Sequence, residues 1–220
     1  MRPLLAALIL LAAATVLPDP GSVEELFTRI QGAQAGMNTL EARFEQIKRS
    51  SLLAEEAHSI GVMSYRKPDR IRWEYLRPDP YTILIEGDNF SAYYPQLHKL
   101  KTARVARLRH RVFNFLVATE PLEKLTTHFQ VEFREGGSRP TWTLVLTPLT
   151  QMIRKTIAQV TVQIDKTTAL PSELFIEEAD GDSTRIRFTA VIANKDLAAD
   201  TFRLQVPPGT FVEPYTTGNR

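Results

Sequence analysis

Apolar and polar residues alternate with a period of two along most of this chain. The alternation is sharpest in Arg70-Ile-Arg-Trp-Glu-Tyr75, where Ile71, Trp73 and Tyr75 face one way and Arg70, Arg72 and Glu74 the other. Lys67-Pro68-Asp69, Arg77-Pro78-Asp79-Pro80 and Glu86-Gly87-Asp88-Asn89 punctuate the runs around it, so Gly61 to Pro95 predicts an antiparallel meander. Tyr81, Ile83 and Ile85 repeat the pattern, which Leu84 interrupts. Upstream, Leu40, Ala42 and Phe44 share one face of a further strand. Downstream, strands are predicted at Phe129–Phe133, Trp142–Leu146, Ile157–Ile164, Glu173–Glu178 and Thr184–Ile192. Such a sheet has one face toward a core and one toward water.

Two stretches break this rhythm. Ser22-Val-Glu-Glu25 is a capping box, and Val23, Leu26, Phe27 and Ile30 then fall at helical spacing, until Gly32 and Gly36 weaken and end the helix. Val112–Val117 leads into Pro121-Leu-Glu-Lys-Leu125, a helical turn with proline at its first position, and both are candidates for a cover over the sheet. The aromatics Trp73, Tyr75, Tyr81, Phe90, Tyr93 and Tyr94 crowd the meander, which reads as a curved hydrophobic cradle. Val206-Pro-Pro-Gly209 is expected to cap the sheet before the chain frays, and residues 22–214 read as one domain.

The composition narrows the function. The 220 residues are 43% hydrophobic and 24% charged, as in folded proteins, and the absence of cysteine excludes disulfides, thiol catalysis, Cys-ligated zinc and a lipid-anchored N-terminal cysteine. Met1-Arg2 followed by the apolar run Pro3–Ala14 has the anatomy of a secretory signal peptide, ending at Ala14 or as late as Pro20. A soluble periplasmic protein is the expectation. The basic run His98–Arg111 lacks interleaved aromatics, and a net charge of +2 is too small for a nucleic-acid binder, so it reads as a solvated edge strand and connector. Asp180-Gly-Asp-Ser-Thr184 matches a phosphotransferase nucleophile loop in letters, yet it joins two polar-alternating strands as a hairpin turn does. His58, His98, His110 and His128 are scattered, with no zinc-like spacing. No nucleophile elbow, phosphate loop or dinucleotide fingerprint occurs, so no enzyme, metal or cofactor is expected.

The ordered set of short motifs carries a resemblance. Phe44-Glu-Gln46, Gly61-x-x-x-Tyr-Arg-Lys-Pro68, Arg72-Trp-Glu-Tyr75 with Pro78, Glu86-Gly-Asp-Asn-Phe90 with Tyr93 and Pro95, and Thr184-x-Ile-x-Phe188 with Asn194, Phe202 and Pro208-Gly209 together resemble the LolA family of periplasmic lipoprotein carriers. The resemblance implies an unclosed antiparallel β-barrel, mainly β, with helices covering a hydrophobic cavity. It implies a monomer that accepts lipoproteins from an inner-membrane transporter, shields their acyl chains and delivers them to an outer-membrane receptor. Alternatives on the same fold are a relative carrying free lipid, glycolipid or a lipid-linked product, and a lipid- or lipoprotein-sensing domain. Phe27, Ile30, Phe44, Ile71, Trp73, Ile83, Phe90 and Tyr93 are then the cavity residues, with Ile30 on the cover and Trp73 suited equally to a plain core role. Lys67 stands where the family usually carries an arginine that holds the cover closed. Without a planar fork, closure here is expected to be weaker or to lean on neighbouring Arg66.

Overall fold

A computed structural model describes residues 21–52, 56–104, 125–135 and 140–215. The predicted signal peptide, the second half of the basic run and most of the second cover segment lie outside them. Helix α1 spans Val23–Ala35 and is followed by β1 (Thr39–Arg49), β2 (Glu56–Arg66), β3 (Arg70–Arg77), β4 (Tyr81–Glu86), β5 (Asn89–Tyr94) and β6 (Lys99–Arg104). After the undescribed segment come β7 (Phe129–Glu135), β8 (Thr141–Pro148), a one-turn helix α2 (Gln151–Arg154), β9 (Ile157–Asp165), β10 (Pro171–Glu178), β11 (Ser183–Ala193) and β12 (Phe211–Pro214).

Among the described residues twelve strands form one open sheet in the order β12-β6-β5-β4-β3-β2-β1-β11-β10-β9-β8-β7. It consists of two sequential meanders, β1 to β6 and β7 to β11, joined where β1 pairs antiparallel with β11. The predicted strands are therefore found, and the fold is an unclosed β-barrel. Two details differ from expectation. β6 is no edge strand, because β12 pairs beside it in parallel, Phe211 opposite Lys99, and Glu213 bridges Lys99 and Lys101 at 3.3 and 3.5 Å. The tail thus adds a strand where fraying was expected. Leu84 breaks the alternation of β4 because it faces outward and is buried beneath Leu197 and Phe202 of the segment that leads to β12.

The inward faces of both meanders merge into a single apolar cluster that takes in Leu26, Phe27 and Ile30 of α1. α1 lies across the sheet: Arg29 sits over the Trp142 ring of β8, while the C-terminal end of the helix reaches the β2–β3 turn. At its N-terminus the capping box forms by half. Ser22 accepts from the Glu25 N–H at 3.2 Å, but the Glu25 carboxylate accepts from the Gly21 N–H at 2.8 Å, one residue further out than a reciprocal box requires. That backbone bond leads the causes that hold the Glu25 carboxyl below its usual range. The Asp180–Asp182 stretch is the β10–β11 turn, with Gly181 at φ 90° and Asp182 accepting from the Ser51 N–H at 2.8 Å and hydroxyl at 3.1 Å. Those carboxylates are spent on loop structure.

Candidate functional site

The interior is organised around Phe44 on β1. Its ring meets Trp73 at 4.8 Å and Tyr75 at 5.0 Å, both edge-on, and Trp73 reaches Phe188 of β11 at 6.0 Å. Register explains the convergence. Phe44 lies between Gly61 on β2 and Phe188 on β11, and Gly61 lies opposite Tyr75. Of the residues named from sequence, Phe27, Ile30, Phe44, Ile71 and Trp73 are buried in the common cluster, and Ile83 and Phe90 pack half-buried against it. Tyr93 is the correction. It pairs with Thr82 and shares the outer face of the sheet with Leu84, whereas Tyr94 takes the inward position. Phe90 and Tyr93 are three residues apart, so a strand places them on opposite faces; strict parity would have chosen Tyr94. Tyr65, Met63 and the second-meander residues Trp142, Leu144 and Val162 also belong to the interior. Their alternation is visible in the sequence, but which face of each strand turns inward is set by pairing.

The helix over this interior is held at one end. Lys67 donates from Nζ to the carbonyls of Gln34 at 3.1 Å and Ala35 at 3.2 Å, and its backbone N–H donates to Asn38 O at 2.8 Å. α1 has no basic residue in its own last turn, so Lys67 supplies from another element the cation that a helix C-terminus favours. Asn194 completes the clamp from β11's end. Its Oδ1 accepts from the Asn38 N–H at 2.8 Å and its Nδ2 donates to Gly36 O at 2.9 Å, from a left-handed backbone at φ 55° that asparagine tolerates. Arg66 does not share this role. As the neighbour of inward-facing Tyr65 it projects outward, donates to Leu197 O at 2.8 Å and lies 5.0 Å over the Phe202 ring. It fastens the C-terminal segment to the outside of the sheet.

The family model for the outer membrane lipoprotein carrier protein LolA matches residues 35–205, from the end of α1 through β1 to β11 to the segment on the outer face. The chain belongs to the LolA family. An outer-membrane lipoprotein carrier protein of Pseudomonas aeruginosa is 25% identical over 207 residues, 94% of each chain. One of Azotobacter vinelandii is 24% identical over 212 residues, covering 96% of this chain and 97% of its own. Among solved structures, an uncharacterized conserved protein from Thermus thermophilus aligns with a TM-score of 0.55 at 13% identity, covering 87% of this chain and 98% of that one. The complex of Pseudomonas aeruginosa MucA and MucB aligns at 0.50 and 15% identity, over 81% of this chain and 59% of that one. Those two share the fold.

This LolA-family interior carries a polar feature at one end of the first meander. Tyr75, Tyr81 and Tyr94 stack across three neighbouring strands, with centroids 4.1 Å and then 5.3 Å apart, and the Tyr75 hydroxyl donates to Gln46 Oε1 at 2.9 Å. Burial pushes all three phenols above their ordinary range, Tyr81 furthest, with the neighbouring Tyr75 adding to the effect on Tyr81. The native state thus keeps protons that the unfolded chain releases above about pH 10, and stability falls as pH rises through that point. Melting temperature is expected to hold up to about pH 10 and drop above it, the drop being smaller in a Tyr75→Phe, Tyr81→Phe double variant. Equal alkaline loss in the two proteins would place the sensitivity elsewhere.

Proposed function

We propose that this chain is a periplasmic carrier that takes up the acyl chains of lipoproteins released by an inner-membrane transporter and hands them to an outer-membrane receptor, with no catalytic step. The observation that carries this reading is the continuous apolar interior shared by both meanders and lidded by a helix held at a polar clamp. Each methylene withdrawn from water is worth about 0.8 kcal/mol, so a multiply acylated N-terminus needs an enclosed apolar surface to cross an aqueous space. The interior is already filled by its own side chains, Ile71, Trp142, Leu144 and Leu174 among them buried to 2% exposure or less. Loading therefore exchanges contacts: Phe27 and Ile30 lift away with α1 while acyl chains take over the surface they covered. The same exchange makes release possible, because the empty state closes on itself and competes with the cargo. Among the described residues no helix is long and apolar enough to cross a membrane.

Native mass spectrometry of the exported protein, co-expressed with a triacylated lipoprotein, is expected to show a one-to-one complex. Recovery of apo protein alone would overturn the carrier reading. A complex with free phospholipid in place of lipoprotein would move the cargo to the lipid class.

A further inference from the structure

We infer that Gln46, Tyr75, Tyr81 and Tyr94 form a hydrogen-bond-donating rim that receives the acyl carbonyls of the cargo, at the point where its hydrocarbon chains join the polar part of the molecule. The inference rests on the carrier reading and adds to it where the cargo is gripped by anything other than apolar contact.

All four side chains lie on the inner face. Gln46 follows Phe44 by two and pairs with inward-facing Ile186, Tyr75 faces Tyr81 directly, and Tyr81 stacks on Tyr94. They run from inside to outside: Tyr75 is buried at 7% exposure, whereas Tyr81 and Tyr94 are half-buried. An interior that served only to hold hydrocarbon would do better with phenylalanine at each position, since every hydroxyl taken out of water must find a partner. Three phenols and an amide on one path therefore call for a polar counterpart.

The direction of the bonds identifies that counterpart. Tyr75 stacks on Tyr81 with ring centroids 4.1 Å apart, and its hydroxyl donates to Gln46 Oε1 at 2.9 Å. Tyr75 thereby gives its only hydrogen to the amide oxygen of Gln46, and the amide nitrogen keeps two hydrogens to donate. Beyond this bond the rim offers the Gln46 amide N–H groups and the Tyr81 and Tyr94 hydroxyls, which are donors without charge. Lys99 and Lys101, on the strand beside Tyr94, are both engaged by Glu213. A phosphate would want a free cation. A neutral ester or amide carbonyl, which only accepts, fits this set.

Ester-linked carbonyls occur both in acylated cysteine and in glycerophospholipid, and the test separates the two. Affinity of the mature protein is measured for a lipopeptide bearing two ester-linked palmitoyl chains and for its ether-linked counterpart, which lacks the carbonyls. The same comparison is made with dipalmitoyl phosphatidylglycerol and its ether analogue. The ester lipopeptide is expected to bind at least about fivefold more tightly than the ether, a modest figure for one or two net hydrogen bonds. In Tyr81→Phe and Gln46→Leu, each checked by thermal melting for an intact fold, its affinity should fall to that of the ether. An ester preference confined to the phospholipid pair keeps the rim and assigns it to free lipid. Equal binding of ester and ether by the unaltered protein overturns the inference and leaves the carrier reading standing. Binding of neither overturns both.

Discussion

Gly61→Ala is expected to destabilise the protein more than any other single methyl group added to the sheet. A Cβ at this position would lie 2.2 Å from the carbonyl oxygen of Glu74 and 2.5 Å from Phe44 Cζ. The first neighbour is backbone of the adjacent strand, at a point where the β2–β3 register already shifts between Ile60 and Gly61. The second is a ring pinned by Trp73 and Tyr75, so neither can yield locally. Overpacking of this kind costs roughly 3 kcal/mol, which for a chain of this size is roughly 6–12 °C of Tm. Thermal melting by circular dichroism checks it. Phe44→Leu in the same chain should recover part of the loss, because removing the ring removes one of the two clashes; the double-mutant cycle then reports a favourable coupling. Full additivity would mean that the strands, not the ring, absorb the methyl.

Lys67→Met should strengthen binding of an acylated ligand. The substitution keeps the length and apolar stem of the side chain and deletes two bonds that exist only while α1 is seated. Allowing for solvent screening at an exposed site, those bonds favour closure by about 1 kcal/mol. Their loss shifts the population toward the open form and strengthens retention of an acylated ligand by about fivefold. Handover to an acceptor should slow by a similar factor, and binding of a hydrophobic dye to the empty protein should rise. If the variant instead held the ligand more weakly, Lys67 would be touching cargo and not the helix. Lys67→Arg is the companion measurement. A guanidinium fork spans two adjacent carbonyls at least as well as an ammonium, so it should preserve closure or tighten it.

Most strands could be read from the sequence because the alternation along each is strong and the turns between them carry proline, glycine or aspartate. Strand parity decides where the two displaced site residues, both named through the family resemblance, come to lie. Tyr93 lies one residue out of phase with Phe90, and Arg66 one residue out of phase with Tyr65, so each fell on the outer face. A one-residue slip inverts every side chain on a strand, and adjacent tyrosines or adjacent basic residues conceal it. The other departures have a different origin. Leu84 resembled noise in β4 because its partners, Leu197 and Phe202, are distant in the chain. β12 is four residues long, follows Pro207-Pro208-Gly209, and gains its identity from β6, which no local pattern announces. Lys67 stood out by its departure from the family arginine, but that it caps a helix end belongs to tertiary geometry.

The junction of β1 with β11 has a consequence for how the protein comes into being. Every other antiparallel pairing joins strands consecutive along the chain, so each meander can assemble from neighbours as it emerges, at small entropic penalty. The junction is the exception, and on contact-order grounds it is the slow step. Until it zips, α1 has no Asn194 to grip its end, and the β1 edge stays unpaired. The interior shared by both meanders is thus a product of completed folding, and neither half of the chain can close it before the other has formed.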